Sequence, residues 1–163
     1  MQTIFTPWRF TYISMSAEPE SCFFCQAAAD PEDQDRLVVW RGPLYLVMLN
    51  RYPYTNGHLM VAPVEHMADP QQSGSAAKTE FWPLVLKCQR VLSRAYAPHG
   101  FNMGLNLGRA AGAGVPGHFH FHIVPRWDGD TNFMTVLGSV RVVPEDPVQV
   151  LGKLRPLFAN EES

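Results

Sequence analysis

The sequence is short of charge, of cysteine and of long apolar runs, and each shortage closes a class of function. Charged residues make up 17% of the chain, against about 25% in an average globular protein. Thirteen Lys and Arg against fifteen Asp and Glu leave a formal net charge of -2, so no bulk positive field holds nucleic acid by counterion release. The longest unbroken apolar run covers residues 44–49, far short of the roughly 20 residues of a membrane-crossing helix. Pro7, Arg9 and the polar stretch 14–21 interrupt any segment of secretory type, so a cytoplasmic location is expected. Three cysteines are too few, and odd in number, for a disulfide framework.

What is present suffices for one ordinary core. The chain has 163 residues, 46% of them hydrophobic and 12% aromatic, which suits a single domain. The expected division is an N-terminal arm over residues 1–35 packing by its aromatic rings, a core over about 36–134 and a C-terminal extension over 135–163. A short helical turn is expected over 25–30, stopped by Pro31. Two apolar runs, 37–40 and 44–49, flank Arg41-Gly42-Pro43 and read as a hairpin. The turn formers of Tyr52-Pro53-Tyr54-Thr55-Asn56-Gly57 precede a third strand over 58–62. Residues 71–77 read as a polar loop. Apolar residues at 81, 84, 85, 88, 92 and 95 follow a 3.6-residue period, predicting one long helix over 78–97 with Pro83 in its first turn. Strands over 101–107 and 118–124 follow, separated by a loop with four glycines and one proline over 108–117. A short helix over 148–158 closes the chain. These elements predict an α+β fold, a five-stranded antiparallel sheet with one long helix packed on it.

The sharpest feature is His118-Phe119-His120-Phe121-His122-Ile123-Val124. In a strand, alternate side chains share a face, so the three imidazoles line up about 6.6–6.8 Å apart while the phenylalanines and Ile123 face the core. Three histidines on one face beside a glycine-rich loop point to a reactive or metal-binding surface, because each buried imidazole needs its own partner. Cys22-Phe23-Phe24-Cys25 reads as metal ligation or redox chemistry; a tetrahedral zinc site takes two further ligands, commonly histidines. Cys88 sits on the apolar face of the long helix as a core residue, and His99 between Pro98 and Gly100 is expected to be exposed.

The run of histidines resembles the signature of the histidine triad (HIT) family, His-φ-His-φ-His-φ-φ with φ apolar, and matches it at every position. The resemblance extends from about Cys22 to Met134 and includes Asn50-Arg51-Tyr52-Pro53-Tyr54-Thr55-Asn56-Gly57-His58. Pro125-Arg126-Trp127-Asp128-Gly129-Asp130-Thr131-Asn132-Phe133-Met134, Asn106-Leu107-Gly108 and the N-terminal Pro7-Trp8-Arg9 resemble the branch containing diadenosine tetraphosphate phosphorylases and hydrolases.

The resemblance implies nucleotidyl transfer through a covalent intermediate on His120, with His122 as a donor to the phosphate. It implies substrate contacts from Asn50 (ribose), Asn106, Trp127 and the loop at Gly112, Ala113 and Gly114. It also implies a structural zinc held by Cys22, Cys25, His66 and His118, with His58 as the alternative to His66. The implied partners are an adenine nucleotide or dinucleoside polyphosphate, inorganic phosphate as co-substrate and a second copy in a homodimer, with no nucleic acid and no membrane. Ala113-Gly114-Val115-Pro116 departs from the side-chain donors that many family members carry there. This departure keeps two further readings open: a hydrolase of another nucleotidyl compound such as an adenosine phosphoramidate, and a non-catalytic adenine-nucleotide sensor.

Overall fold

The apolar runs bounded by turn formers become strands, and their pairing builds one antiparallel sheet. The computed structural model describes residues 22–30, 36–130 and 145–161. Residues 1–21, 31–35 and 131–134 of the expected arm and of the resemblance lie outside the described residues. The sheet contains β1 (Val38–Arg41), β2 (Tyr45–Leu49), β3 (Leu59–Pro63), β4 (Gly100–Leu105) and β5 (Phe121–Arg126), in the spatial order β1-β2-β3-β5-β4. Among the described residues three α-helices accompany it: α1 (Phe23–Ala29), α2 (Ser75–Tyr96) and α3 (Pro147–Ala159). The α+β architecture with five antiparallel strands is as the sequence predicts. No helix among the described residues is long and apolar enough to cross a membrane.

Strand alternation sorts the side chains into two layers. Leu37, Val39, Tyr45, Val47, Leu49, Leu59, Val61, Phe121 and Ile123 form the main core against Leu84, Val85, Cys88, Val91 and Leu92 of α2 and Val150, Leu151, Leu154 and Phe158 of α3. The C-terminal segment is thus part of the core, and Arg155 of α3 also bonds the carbonyl of Val38 at 2.8 and 3.1 Å. The opposite face holds a smaller cluster of Val38, Leu46, Met48, Met60 and Ala62 beneath Phe24 and Ala27 of α1.

Two boundaries differ from expectation by three residues, the others by two or fewer. The long helix starts at Ser75 rather than 78, which places Pro83 inside the helix instead of in its first turn. Pro83 is exposed, so water can serve the Thr79 carbonyl that it leaves without a helical donor. The last strand starts at Phe121 rather than His118. Ahead of it, His118 Nε2–H donates to the Pro63 carbonyl at 2.9 Å and the Phe119 N–H to the Met67 carbonyl at 2.8 Å, in place of ladder bonds.

Helix α1, seven residues long, is too short to hold itself in water and is held by side chains from elsewhere. The Arg41 guanidinium donates to the carbonyls of Ala27, Ala28 and Asp30 at 2.8–2.9 Å, serving the C-terminal groups that a helix leaves unbonded. Its N-terminal end belongs to the cysteines.

Candidate active site

Cys22 precedes α1 and Cys25 lies in its first turn, so both sulfurs leave the same end of the helix. His66 comes from the segment after β3 and His118 from the stretch before β5. The four ligand atoms lie within 4.8 Å of one another. Cys22 Sγ is 3.3 Å from His118 Nδ1, and Cys25 Sγ is 3.1 Å from His66 Nδ1 and 3.6 Å from His118 Nδ1. Tetrahedral zinc, with bonds of about 2.3 Å to sulfur and about 2.0–2.1 Å to nitrogen, sets sulfur and nitrogen ligands about 3.6 Å apart. The donor set therefore fits zinc. The proton on His118 Nε2 goes to Pro63, which leaves Nδ1 with its lone pair toward the thiols, as ligation requires. Burial pushes the Cys25 thiol up, and the neighbouring Cys22 adds to this; a bound cation reverses that penalty. His58, the alternative ligand, is elsewhere.

The structure gives His120 one tautomer. Its Nδ1 lies 3.1 Å from the His118 carbonyl, which can only accept, so Nδ1 carries the proton and Nε2 keeps its lone pair. The ring is 6% exposed and lies 4.8 Å from the ring of Phe24. Burial lowers its pKa from the ordinary histidine value, which keeps the imidazole neutral at pH 7.

His122 is fixed by a chain of bonds that begins in the turn before β3. Gly57 takes φ +74, and a Cβ there would stand 3.0 Å from Tyr96 and 3.1 Å from Leu92; only glycine lets the turn lie this close to α2. The Tyr54 N–H donates to His58 Nδ1 at 3.1 Å, and His58 Nε2 lies 2.9 Å from His122 Nδ1. Because Nδ1 of His58 accepts, its Nε2 must donate, so His122 Nδ1 accepts and His122 Nε2 carries a proton. His122 is thereby a donor on the open side of the site. Burial, with a smaller contribution from His120, pushes its pKa down to about 4. The rings of His120 and His122 stand 4.9 Å apart.

His58, fully buried, is the functional residue that sequence reasoning missed as a partner of His122. The signal was its parity with Met60, which pairs with His122 across β3 and β5, but that register is written in neither segment alone.

The other expected site residues are distributed unevenly. Asn50 follows β2, and its Oδ1 accepts from the Tyr52 N–H at 2.9 Å; its own N–H donates to the His58 carbonyl at 3.0 Å, placing it one strand beyond His58. Asn106 follows Leu105, the partner of Phe121, and so lies level with His120. In the glycine-rich loop the N–H groups of Gly112 and Ala113 bond the carbonyls of Arg109 and Gly108. Gly114, Val115 and Gly117 keep the N–H groups with no bond among the described residues. Trp127 follows the last residue of β5, roughly 20 Å along the strand from His120 at about 3.3 Å per residue, and is not brought to the histidines. Cys88 is buried in the main core. His99 is exposed, and its Nδ1 accepts from the Asp128 N–H at 3.0 Å.

Such a sheet, with paired histidines over a Cys2His2 cluster, defines a class, and the sequence profile of the HIT domain matches residues 32–129. The chain belongs to the HIT family. It is 37% identical over 168 aligned residues to the AP-4-A phosphorylase of Mycobacterium tuberculosis (strain H37Rv), covering 99% of this chain and 84% of that protein. It is 29% identical to adenosine 5'-monophosphoramidase hnt1 of Schizosaccharomyces pombe, over 82% of this chain and 94% of that one. Among solved structures, a Zn-bound histidine triad family protein from Mycobacterium smegmatis superposes with a TM-score of 0.67 at 27% identity, covering 85% of this chain and 94% of that one.

Proposed function

We propose that the chain cleaves dinucleoside polyphosphates of the diadenosine tetraphosphate type by passing a nucleotidyl group through His120 to inorganic phosphate. The observation that carries this reading is the pair of fixed tautomers, a free lone pair on His120 Nε2 beside a proton on His122 Nε2. His120 Nε2 forms a bond to the α-phosphorus as the bond from that phosphorus to the bridging oxygen breaks. The leaving nucleoside triphosphate keeps the electron pair, and His122 donates to the charge that develops. Phosphate then attacks the same phosphorus, the N–P bond breaks toward His120, and a nucleoside diphosphate is released. The phosphorylase name of the Mycobacterium tuberculosis relative supports phosphate over water as acceptor.

Asn50 holds the ribose hydroxyls, and Asn106 with the N–H groups of the 112–117 loop contacts the phosphates. Trp127, remote from the reacting phosphorus, serves the far part of a long substrate. Zinc on Cys22, Cys25, His66 and His118 is structural; when bound it cross-links α1 to the segment before β5 that carries His120. The functional unit is a cytoplasmic homodimer, and a light-scattering mass near 18 kDa at micromolar concentration contradicts the dimer.

A second reading has its own observation. The phosphoramidase name of the Schizosaccharomyces pombe relative favours hydrolysis of a smaller nucleotidyl compound. Incubation with diadenosine tetraphosphate, with and without phosphate, separates the two. ADP plus ATP formed only with phosphate supports phosphorolysis; AMP plus ATP irrespective of phosphate means hydrolysis.

A further inference from the structure

The turn between β2 and β3 carries three parts of the site. Asn50 opens it, the Tyr54 N–H orients His58, and His58 closes it with its bond to His122. Thr55 Oγ1–H pins the turn to the Pro125 carbonyl at 2.7 Å. Gly57 rests on α2, against Tyr96 and Leu92. Tyr96 is the last residue of α2, and Ala97 after it takes φ 43. The ring under the turn therefore stands on a helix end, where the regular backbone bonds run out.

What steadies that ring comes from the C-terminal segment. The Tyr96 hydroxyl donates to Glu145 Oε2 at 3.3 Å, and the Lys153 ammonium donates to both Glu145 oxygens at 2.7 and 2.9 Å. The same ammonium lies 4.6 Å from the centre of the Tyr96 ring. Burial, with the Glu145 carboxylate adding to it, pushes the Tyr96 pKa up, so the hydroxyl stays a donor. Glu145 directly precedes Asp146, the N-cap of α3, and α3 is anchored in the main core through Val150 and Leu151.

Asn56 of the turn is 9% exposed and reaches the Tyr96 hydroxyl as well. Its Oδ1 has no hydrogen-bond partner among the described residues. A buried carbonyl oxygen in that position favours swinging out to water, so the inward pose of Asn56 depends on the ring beside it. Asn50, Asn56, His58 and Glu145 line one small cavity, which sets the carboxylate directly behind the residues that the site uses.

We propose that Glu145 is a positioning residue for the nucleoside site: it fixes the Tyr96 ring under the 50–57 turn, and through the turn it places Asn50 and the Tyr54 N–H. The nucleoside part rests on the preceding reading, which puts the ribose on Asn50.

The test uses the full chain as wild type, Glu145→Ala, Glu145→Gln, Tyr96→Phe and Arg94→Ala. The readouts are calorimetric titration with AMP and amide hydrogen exchange at Tyr54, with Val61 in the middle of β3 as internal reference. Expected for Glu145→Ala is about 10-fold weaker AMP binding and about 10-fold faster exchange at Tyr54, with Val61 unchanged. Tyr96→Phe, which cuts the same bond and keeps the ring on Gly57, shows losses of about 3–10-fold in both readouts. Glu145→Gln retains an acceptor for Tyr96 and Lys153 and stays within about threefold of wild type. Arg94→Ala breaks the ion pair that ties Glu161 to α2 and involves no residue of the turn; it too stays within about threefold. Unchanged AMP affinity in Glu145→Ala, exchange that quickens as much at Val61 as at Tyr54, or an equal loss in Arg94→Ala overturns the proposal. Wild type that binds no AMP at millimolar concentration, while Tyr54 exchange still follows Glu145, refutes the nucleotide reading instead.

Discussion

One sheet face carries two unlike surfaces. Across β1, β2 and β3 it presents Val38, Leu46, Met48, Met60 and Ala62, sealed by a helix that contributes Phe24 and Ala27. Across β4, β5 and the segment just before β5 the same face presents His120, His122, Asn102 and Gly104; Asn102 is exposed, and a Cβ on Gly104 would meet no atom of the described residues within 4 Å. The boundary between them runs along His118 and His120, where Phe24 lies 5.1 and 4.8 Å from the two rings. The nucleophile proposed here, His120, needs access to substrate on one side and a fixed ring on the other, and this boundary suits both needs. The covered half is built from apolar side chains plus the Cys2His2 cluster. The open half is built from groups whose protons are placed by hydrogen bonds.

The largest expected effect comes from unsealing the covered half. Phe24→Ala removes a 1% exposed ring, and a buried Phe→Ala change costs about 3–5 kcal/mol. Urea denaturation should show that loss together with reduced turnover; a loss under about 1 kcal/mol would mean that α1 is not the cover described here.

Next is the proton relay on the open half. His58→Ala takes the donor from His122 Nδ1, freeing its tautomer, and should lower kcat by about 100-fold with little change in KM, as for loss of a positioned proton donor. An unchanged kcat contradicts the relay.

The smallest effect is graded with pH. The folded-state pKa of His122 is about 4, against an ordinary value of 6.5. As pH falls below 6.5 the unfolded chain takes up the proton first, so stability present above 6.5 is lost progressively down to about 4. Thermal melts should show Tm falling through that window, and His122→Gln should flatten the decline; an equally steep decline in that variant removes His122 from the account.

Much of this comparison was legible in the sequence. Turn-bounded apolar runs marked β1, β2 and β3, and the 3.6-residue period marked the buried face of α2, since both patterns are set by burial on one side. Cys22, Cys25, His66 and His118 were readable as a ligand set through the family resemblance, and they do converge. Pro83 misplaced the helix start because proline favours a first turn, whereas here it is tolerated on an exposed face. His118 and His120 look like strand residues, but their neighbours bond the 63–67 segment. Phe24 reads as spacing between two cysteines, and nothing local says that its ring packs on His120. His58 could be read only as an alternative ligand, because its partner is 64 residues away and is reached through a register that depends on the whole sheet.

The central claim is that His120 carries the nucleotidyl group, and rapid quenching at alkaline pH followed by peptide mass spectrometry tests it most directly. With diadenosine tetraphosphate and no added phosphate, the peptide containing His120 should gain the mass of one AMP moiety and lose it on addition of phosphate. His120→Ala should form no adduct and lose turnover by at least about 10⁴-fold while still binding AMP. An adduct on any other residue, or turnover that survives in His120→Ala, contradicts the account.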